Sequence, residues 1–434
     1  MAELRGPRGN AKRFRGVQMR AGIVVTGTEM VTGQVPDRNG PWLAQRLGEH
    51  GVQVSHVLTV GDRPVDLRAA LEFLRSQGVQ LIVTSGGLGP TADDLTAEVV
   101  AGFAGSELVL DEAMAAEIAA ILAQYAHLSG FGREALEEAN RKQAMVPRGA
   151  YPLHPAGTAP GLVVPVPDGP TVIVLPGPPR ELQAMWPAAL AAPPVRALLD
   201  DASPLYAVRL RLYGLPESEI AATLRSVGSR LDLSPLEITT CLRRSELEID
   251  IRYRPGFEDV RDALVREIAS RHGKQLYSTD GSSIDSQVAG LLRGRRIGLA
   301  ESCTGGLLAG RLTDLAGASE YVAGGVVAYS NEAKTELLDV PAELIERHGA
   351  VSPQVALAMA SGARHRFHAD IGCGVTGVAG PGGGTETKPV GYVCVCVSSG
   401  SGTVARDLVL PGDRAEVRDR SVTLAMHLIR RLLS

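Results

Sequence analysis

The first thing missing from this chain is a membrane-spanning run. No apolar stretch approaches the ~20 residues that a spanning helix needs, and no charged-then-apolar N-terminus reads as a secretory leader. A soluble, cytoplasmic protein is the expectation. Cysteine is scarce as well, with five in 434 residues. They form no Cys-x-x-Cys pair and have no nearby histidine pattern, so reduced thiols are expected rather than a disulfide framework or a zinc site. Cys394 and Cys396 are spaced to share one strand face. Aromatic side chains make up only 4% of a chain that is 44% hydrophobic, enough apolar material for two or three separate cores. A strong charge of either sign is also absent. The net charge is −4, and no basic face offers nucleic acid a global attraction. The one basic run, Arg5 to Arg15, lies in a Gly- and Pro-containing tail; residues 1–18 are expected to be a disordered extension ahead of a first strand starting at Met19.

What is present is a regular alternation of strands and helices. Ala21–Thr26, a helix over 39–50, Gln53–Val60, a helix over 64–77 and Leu81–Thr84 predict a doubly wound α/β sheet for residues 19–195. Residues 200–278 read as a small α+β unit, with strands at Leu205–Tyr213, near Leu236–Cys241 and at Leu247–Tyr253, and helices over 216–226 and 258–271. Residues 282–434 return to α/β alternation and end in an amphipathic helix over 413–433.

The chemistry concentrates in that last segment. Ser302, in Ala-Glu-Ser-Cys-Thr-Gly-Gly, follows the apolar strand Arg296–Ala300 and precedes a helix start, so it belongs to a strand-to-helix turn. The amides of Thr304, Gly305 and Gly306 are expected to point where an oxyanion would form. His348, His365, His368 and His427 fall in helix-like segments and offer no obvious base. Lys334 is the candidate: buried and neutral, it can take the serine proton, with Tyr329 relaying or orienting it. The two converge if Val326–Tyr329 ends a strand and Asn331–Leu338 is a helix. Cys303 is a rival nucleophile, but only one of Ser302 and Cys303 can face the pocket. Thr376 and Gly377, after the strand Ile371–Val375, are expected to contact substrate. Arg414 and Arg418 either hold a phosphate by paired charged hydrogen bonds or form a solvated helix face. The plainer alternative for Ser302 and Thr304 is helix capping.

In the first segment the third predicted strand runs into Ser85-Gly-Gly-Leu-Gly-Pro-Thr-Ala-Asp-Asp-Leu-Thr96, a glycine loop followed by what reads as the acidic start of a helix. Amides at Gly86, Gly87, Gly89 and Thr91 suit a phosphate. Asp93 and Asp94 would repel it unless a divalent cation, Mg²⁺ or Mn²⁺, stood between; alternatively they are first-turn residues of an ordinary helix. A second loop, Leu175-Pro-Gly-Pro-Pro-Arg-Glu181, brings Pro176, Gly177, Arg180 and Glu181 to the same sheet edge, and Thr158 lies in a further tight turn. Glu29 and Asp37 are additional candidate ligands.

Residues from about 282 onward resemble the nicotinamide-nucleotide amidases that form the C-terminal domain of the competence/damage-inducible CinA family. The matches run through Ala300–Gly306, Ala328–Lys334, Gly349–Ser352, Gly374–Gly383, Lys388–Gly391 and Gly412–Arg414. The resemblance implies hydrolysis of nicotinamide mononucleotide to nicotinic acid mononucleotide and ammonia, with Ser302 as nucleophile, Lys334 as base and Tyr329 as its partner. No cofactor is expected for that step. Residues 19–190 resemble the molybdopterin-binding fold through Gly86–Thr96, Gly157–Gly161 and Leu175–Glu181; in the CinA branch this implies a metal-dependent ADP-ribose pyrophosphatase. His154 stands where that family usually has asparagine, and Asp37-Arg38-Asn39 replaces the usual Asp-Thr-Asn. The middle segment resembles a KH-type fold without its Gly-x-x-Gly clamp, so a spacer or dimer element is expected and nucleic acid is not. Family resemblance also implies a homodimer. The other readings are an interaction protein in DNA uptake or repair, and a pterin-binding module without turnover.

Overall fold

The structure is a computed structural model and describes residues 19–125, 138, 140–202 and 204–434. The basic tail over 1–18 lies outside the described residues. The chain divides into two compact units. One is formed by the residues up to 206 with 253–256, the other by 207–252 with 257–434, so most of the middle α+β segment belongs with the C-terminal half. Among the described residues no helix is long and apolar enough to cross a membrane.

In the N-terminal unit six strands form one sheet in the order β2-β1-β3-β8-β7-β6. They are β1 Arg20–Thr26, β2 Gln53–Val60, β3 Leu81–Ser85, β6 Tyr151–Leu153, β7 Gly161–Val164 and β8 Thr171–Leu175. Two short strands, β4 Leu108–Leu110 and β5 Met145–Pro147, pair separately. β2, β1, β3 and β8 run parallel, whereas β7 and β6 are antiparallel. Every residue of β3 and β8 is buried, as it must be in a sheet covered on both faces. The chain leaves β1 toward β2 on one side, and β3 lies on the other. That reversal opens a crevice at the carboxyl ends of β1 and β3, where loops gather in doubly wound folds.

The second unit contains two sheets. The middle segment supplies β10-β11-β9-β12, built from β9 Tyr206–Tyr213, β10 Leu236–Arg243, β11 Glu246–Tyr253 and β12 Leu276–Ser278. The C-terminal segment supplies β14-β13-β15-β16-β17, from β13 Ile297–Glu301, β14 Val322–Val327, β15 Ile371–Gly377, β16 Tyr392–Ser399 and β17 Thr403–Val409. β14, β13 and β15 are parallel, and the last two strands turn antiparallel. Here too the order reverses, about β13, and Ser302 is the residue immediately after that strand.

Close packing fixes β15 against the helix Pro353–Arg366. A Cβ at Gly372 would lie 1.9 Å from the Ala360 carbonyl, and one at Gly374 would lie 2.2 Å from that of Ala356. Only glycine admits this approach of backbone to backbone. The C-terminal helix Arg414–Leu433 covers the opposite side of the sheet. It opens with a capping box in which the Asp413 side chain takes the Glu416 amide and Glu416 takes the Asp413 amide.

Candidate active site

Ser302 sits between β13 and the helix Leu307–Thr313, on the turn its sequence predicts. Lys334 lies in the helix Asn331–Leu338, whose start is capped by the Ser330 hydroxyl accepting from the Ala333 amide at 3.1 Å. The two side chains meet. Lys334 Nζ is 3.2 Å from Ser302 Oγ, and it donates to the carbonyls of Ala328 at 3.0 Å, Tyr329 at 3.3 Å and Ser330 at 3.3 Å. Lys334 is only 2% exposed, and among the described residues it forms no ion pair with a carboxylate. Burial pulls its pKa below the ordinary lysine value, with the nearby Cys303 and Glu332 opposing that shift. A neutral amine has two N–H bonds and one lone pair. With the lone pair toward the serine hydroxyl, the two N–H bonds are shared among the three carbonyls.

Cys303 faces the core. It is buried, and its thiol is pushed up to about 12 by desolvation. Of the two neighbours it is Ser302, not Cys303, whose side chain meets Lys334.

The structure revises several expected roles. Tyr329 is 59% exposed, and its hydroxyl accepts from Arg414 Nη2 at 2.8 Å; its main-chain carbonyl, not its phenol, touches Lys334. Arg414 also donates through Nη1 to the Gly380 carbonyl at 2.7 Å. Arg418 is not on a solvated face: Nε and Nη2 donate to the carbonyls of Cys303 and Thr304, each at 3.0 Å, so it ties the serine turn to the C-terminal helix. Thr376 is buried, and its hydroxyl donates to the Ala350 carbonyl at 2.9 Å. Gly377 belongs to β15 and pairs with Val393; a Cβ there would meet Val393 at 2.6 Å and the Cys303 sulfur at 3.1 Å. Space explains that glycine.

The amides at the turn are partly committed. The Gly305 amide donates to the Ser302 carbonyl at 3.1 Å. The Gly306 amide donates to Glu301 Oε2 at 3.0 Å, and the same carboxylate takes the amides of Leu308 at 3.1 Å and Ala309 at 2.9 Å. Glu301 was not singled out from the sequence, although an acid just before a helix start is a recognisable signal. Of the three expected oxyanion donors, the Thr304 amide is the one without an oxygen acceptor among the described residues, and it lies toward the Cys303 sulfur. The Thr304 hydroxyl is fully buried and has no hydrogen-bond partner among the described residues.

In the N-terminal unit the two predicted loops do converge. Asn39 Nδ2 donates to Ser85 Oγ at 2.8 Å and to the Gly177 carbonyl at 2.7 Å, bridging the ends of β3 and β8, while its Oδ1 is buried without a partner among the described residues. Gly86 and Gly87 adopt positive φ of 106° and 68°, and a Cβ on Gly86 would lie 2.4 Å from Thr26 Oγ1. Gly157, beside Thr158, packs so closely on Glu181 that a Cβ would sit 2.4 Å from its Oε1. Pro176 is buried, and Arg180 is exposed at the start of the helix Pro179–Ala191.

The acidic helix start is corrected. The helix begins at Thr96 and is capped by Leu95, so Asp93 and Asp94 lie in the preceding turn. Gly89 abuts Asp94, and the Thr91 hydroxyl lies 2.5 Å from an oxygen of each aspartate, its one proton serving one at a time. The Thr91 amide also donates to Asp94 at 2.9 Å. The Thr91 hydroxyl holds the Asp93 carboxyl below its ordinary pKa, whereas burial raises that of Glu181. Asp37 takes the amides of Asn39 and Gly40, each at 2.9 Å, and Glu29 is exposed on a short helix. Among the described residues no three His, Cys, Asp or Glu side chains are grouped as a metal ion requires. In this arrangement the five carboxylates do not fit a shared cation. His154 accompanies Glu117 at 2.9 Å.

Two α/β units, one with a glycine-loop crevice and one with a serine–lysine pair, define a two-part α/β protein. Residues 282–433 match the family described as CinA C-terminal domain, and residues 22–196 match the probable molybdopterin binding domain. The chain is 57% identical over 418 residues to a CinA-like protein of Mycolicibacterium gilvum, spanning 96% of this chain and 99% of that one. It is 54% identical over 424 residues to a CinA-like protein of Mycobacterium tuberculosis, spanning 96% and 98%. The competence/damage-inducible protein CihA of Agrobacterium tumefaciens, a solved structure, matches 36% of this chain and 100% of its own length at 38% identity and a TM-score of 0.34. The chain belongs to the CinA-like family.

Glu301 gives the first test. Replacing it with Gln leaves one carbonyl oxygen for three helix-start amides and turns an NH₂ toward donors. Glu301→Gln should lower stability by about 1–3 kcal/mol, read as a lower urea midpoint at unchanged slope. A midpoint equal to that of the parent would remove the carboxylate from the helix start.

Proposed function

We propose that the C-terminal unit is a serine amidase that hydrolyses the carboxamide of nicotinamide mononucleotide, giving nicotinic acid mononucleotide and ammonia. The observation that carries this reading is the 3.2 Å approach of Lys334 Nζ to Ser302 Oγ, with the amine buried and in no ion pair among the described residues. Neutral Lys334 takes the hydroxyl proton as Oγ attacks the carboxamide carbon, and the carbonyl π pair moves onto oxygen. The Thr304 amide is the donor left to meet that oxygen. Collapse of the intermediate breaks the C–N bond, and the lysine ammonium returns its proton to the departing nitrogen as ammonia. The resulting ester of Ser302 is opened by a water that Lys334 deprotonates, which releases the carboxylate and restores both side chains. The exposed Tyr329–Arg414 pair, polar and cationic, suits the phosphate-bearing end of the nucleotide.

Ammonia release from nicotinamide mononucleotide should fall at least a thousandfold in Ser302→Ala and stay within a few-fold of the parent in Cys303→Ala. Full activity in Ser302→Ala would end the amidase reading. The base must be neutral to act, so kcat/KM should rise with pH through an ionisation lying below the ~10.4 of an ordinary lysine, in keeping with the lowered pKa of Lys334. A flat profile from pH 6 to 9, in a variant set where Lys334→Ala keeps activity, would assign the proton transfer elsewhere.

For the N-terminal unit we propose a nucleotide site that takes ADP-ribose on the loops joined by Asn39, with the amides of Gly87 and Gly89 toward the pyrophosphate, that of Gly86 being held by the Leu175 carbonyl at 3.0 Å. The loops' convergence supports this binding; the spacing of the carboxylates supports no metal-borne cleavage step. Asn39→Ala should weaken ADP-ribose binding about tenfold by calorimetry, since the bridge between β3 and β8 is lost. AMP release that requires added Mg²⁺ and collapses in Asp93→Ala would show instead that the turn rearranges around a cation.

A further inference from the structure

Away from Ser302, a cavity of about 610 Å³ opens between the middle sheet and the C-terminal helix. Its volume lies within the range of small-ligand pockets. The inner wall is aromatic. Tyr213 of β9 stacks on His427 with ring centroids 3.8 Å apart and planes 10° from parallel, and Tyr277 of β12 meets the same imidazole edge-on at 4.8 Å. These rings are held from behind by Glu246, which accepts from Tyr277 Oη at 2.6 Å and pairs with His427 Nε2 at 2.8 Å. Arg311, bound through Nε and Nη2 to the two oxygens of Asp285, stands 4.0 Å from Glu246. The acidic groups of this network are therefore accounted for behind the wall.

The rim is cationic. Lys274, Arg406 and Arg431 line the cavity from three different elements, the turn after the helix Glu258–His272, β17 and the last turn of the C-terminal helix. None of the three has an ion-pair or hydrogen-bond partner among the described residues. Arg430 lines the cavity too, donating to Gln287 at 2.8 Å and lying 5.7 Å from the Tyr277 ring centre. No aspartate or glutamate lines it; Ser434 forms one edge. Complementing the helix C-terminus accounts for Arg430 and Arg431. It does not account for Lys274 and Arg406, which come from elsewhere in the fold.

We propose that this cavity is a further nucleotide site, in which the base lies against the tyrosine–histidine wall and a di- or triphosphate meets Lys274, Arg406 and Arg431. Gln275, on the same lining, adds an amide able to pair with a base edge. The site is separate from the Ser302–Lys334 pair and does not depend on what that pair hydrolyses.

The test is calorimetric titration of the full-length protein with ADP, with inorganic pyrophosphate and with a single-stranded oligonucleotide as separate probes. ADP should bind, and the triple variant Lys274→Ala/Arg406→Ala/Arg431→Ala should lose that binding event or weaken it at least tenfold, at unchanged thermal midpoint. Ser302→Ala and Asn39→Ala should both retain it, which separates it from the two sites above. An ADP isotherm identical in the parent and the triple variant would overturn the proposal. Pyrophosphate binding as tightly as ADP would overturn the role of the aromatic wall, and binding of the oligonucleotide alone would replace the nucleotide with a nucleic acid.

Discussion

A lysine amine shut away from water beside a serine hydroxyl is the constraint around which the C-terminal unit is arranged. A full charge on Lys334 would lack both bulk hydration and a counter-carboxylate, so burial works against it. Three main-chain carbonyls oppose that tendency, because they accept equally well from an ammonium. Burial prevails in direction and lowers the pKa, because carbonyl dipoles replace only part of the hydration lost. Glu301 is the acid closest in sequence to the serine, and it does not disturb this balance. Its two oxygens are occupied by three helix-start amides, where hydrogen bonds to a charged group are each worth roughly 1.5–3 kcal/mol. The helix start thus gives up most of its anion-binding capacity to an internal carboxylate, and the polarity available to an incoming carbonyl narrows to the amide of Thr304.

The two units solve the same positioning problem in one way and then diverge. Each sets its candidate residues at the carboxyl ends of parallel strands where strand order reverses, the loops after β1 and β3 in one and the turn after β13 in the other. In the first unit polar groups are consumed in shaping the loops: Asp94 and Thr91 close the turn, Asp37 starts a helix, and Asn39 spans two strand ends. In the second, Lys334 and Ser302 are held against each other and against main-chain carbonyls.

The strands and helices were legible because their periodicity is regular, and with them the turn at Ser302 and the helix that carries Lys334. What escaped were outcomes of competition for a hydrogen bond. The Gly306 amide was readable as a free donor, but Glu301 reaches it first. Tyr329 and Lys334 lie five residues apart, which fixes their backbones near one another and leaves the direction of the phenol to Arg414, 85 residues away. Asp93 and Asp94 resembled a helix start, yet Thr91 draws both into a turn and the helix waits for Thr96. Gly377 looked like a donor of its amide and is instead a position with no room for a Cβ. Each error concerns a side chain whose partner lies in another element or a tighter local turn, information that spacing along one segment does not carry.

The helix Arg414–Leu433 joins these features. At its start Arg414 holds Tyr329 and the Gly380 carbonyl, and one turn later Arg418 holds the two carbonyls after Ser302. At its far end His427 and Arg430 form part of the aromatic and cationic cavity. Twenty helical residues span about 30 Å, and the helix is buried along most of its length from Val417 to Ile429. A packed helix moves as a unit or not at all, because close-packed interiors do not deform continuously. An anion drawn in between Lys274, Arg406 and Arg431 therefore acts on the same rigid element that fixes the serine turn. Coupling between the two ends requires two seatings of this helix, with the anion and the ligand at Ser302 each favouring one of them, and the coupling free energy is then the same read from either end.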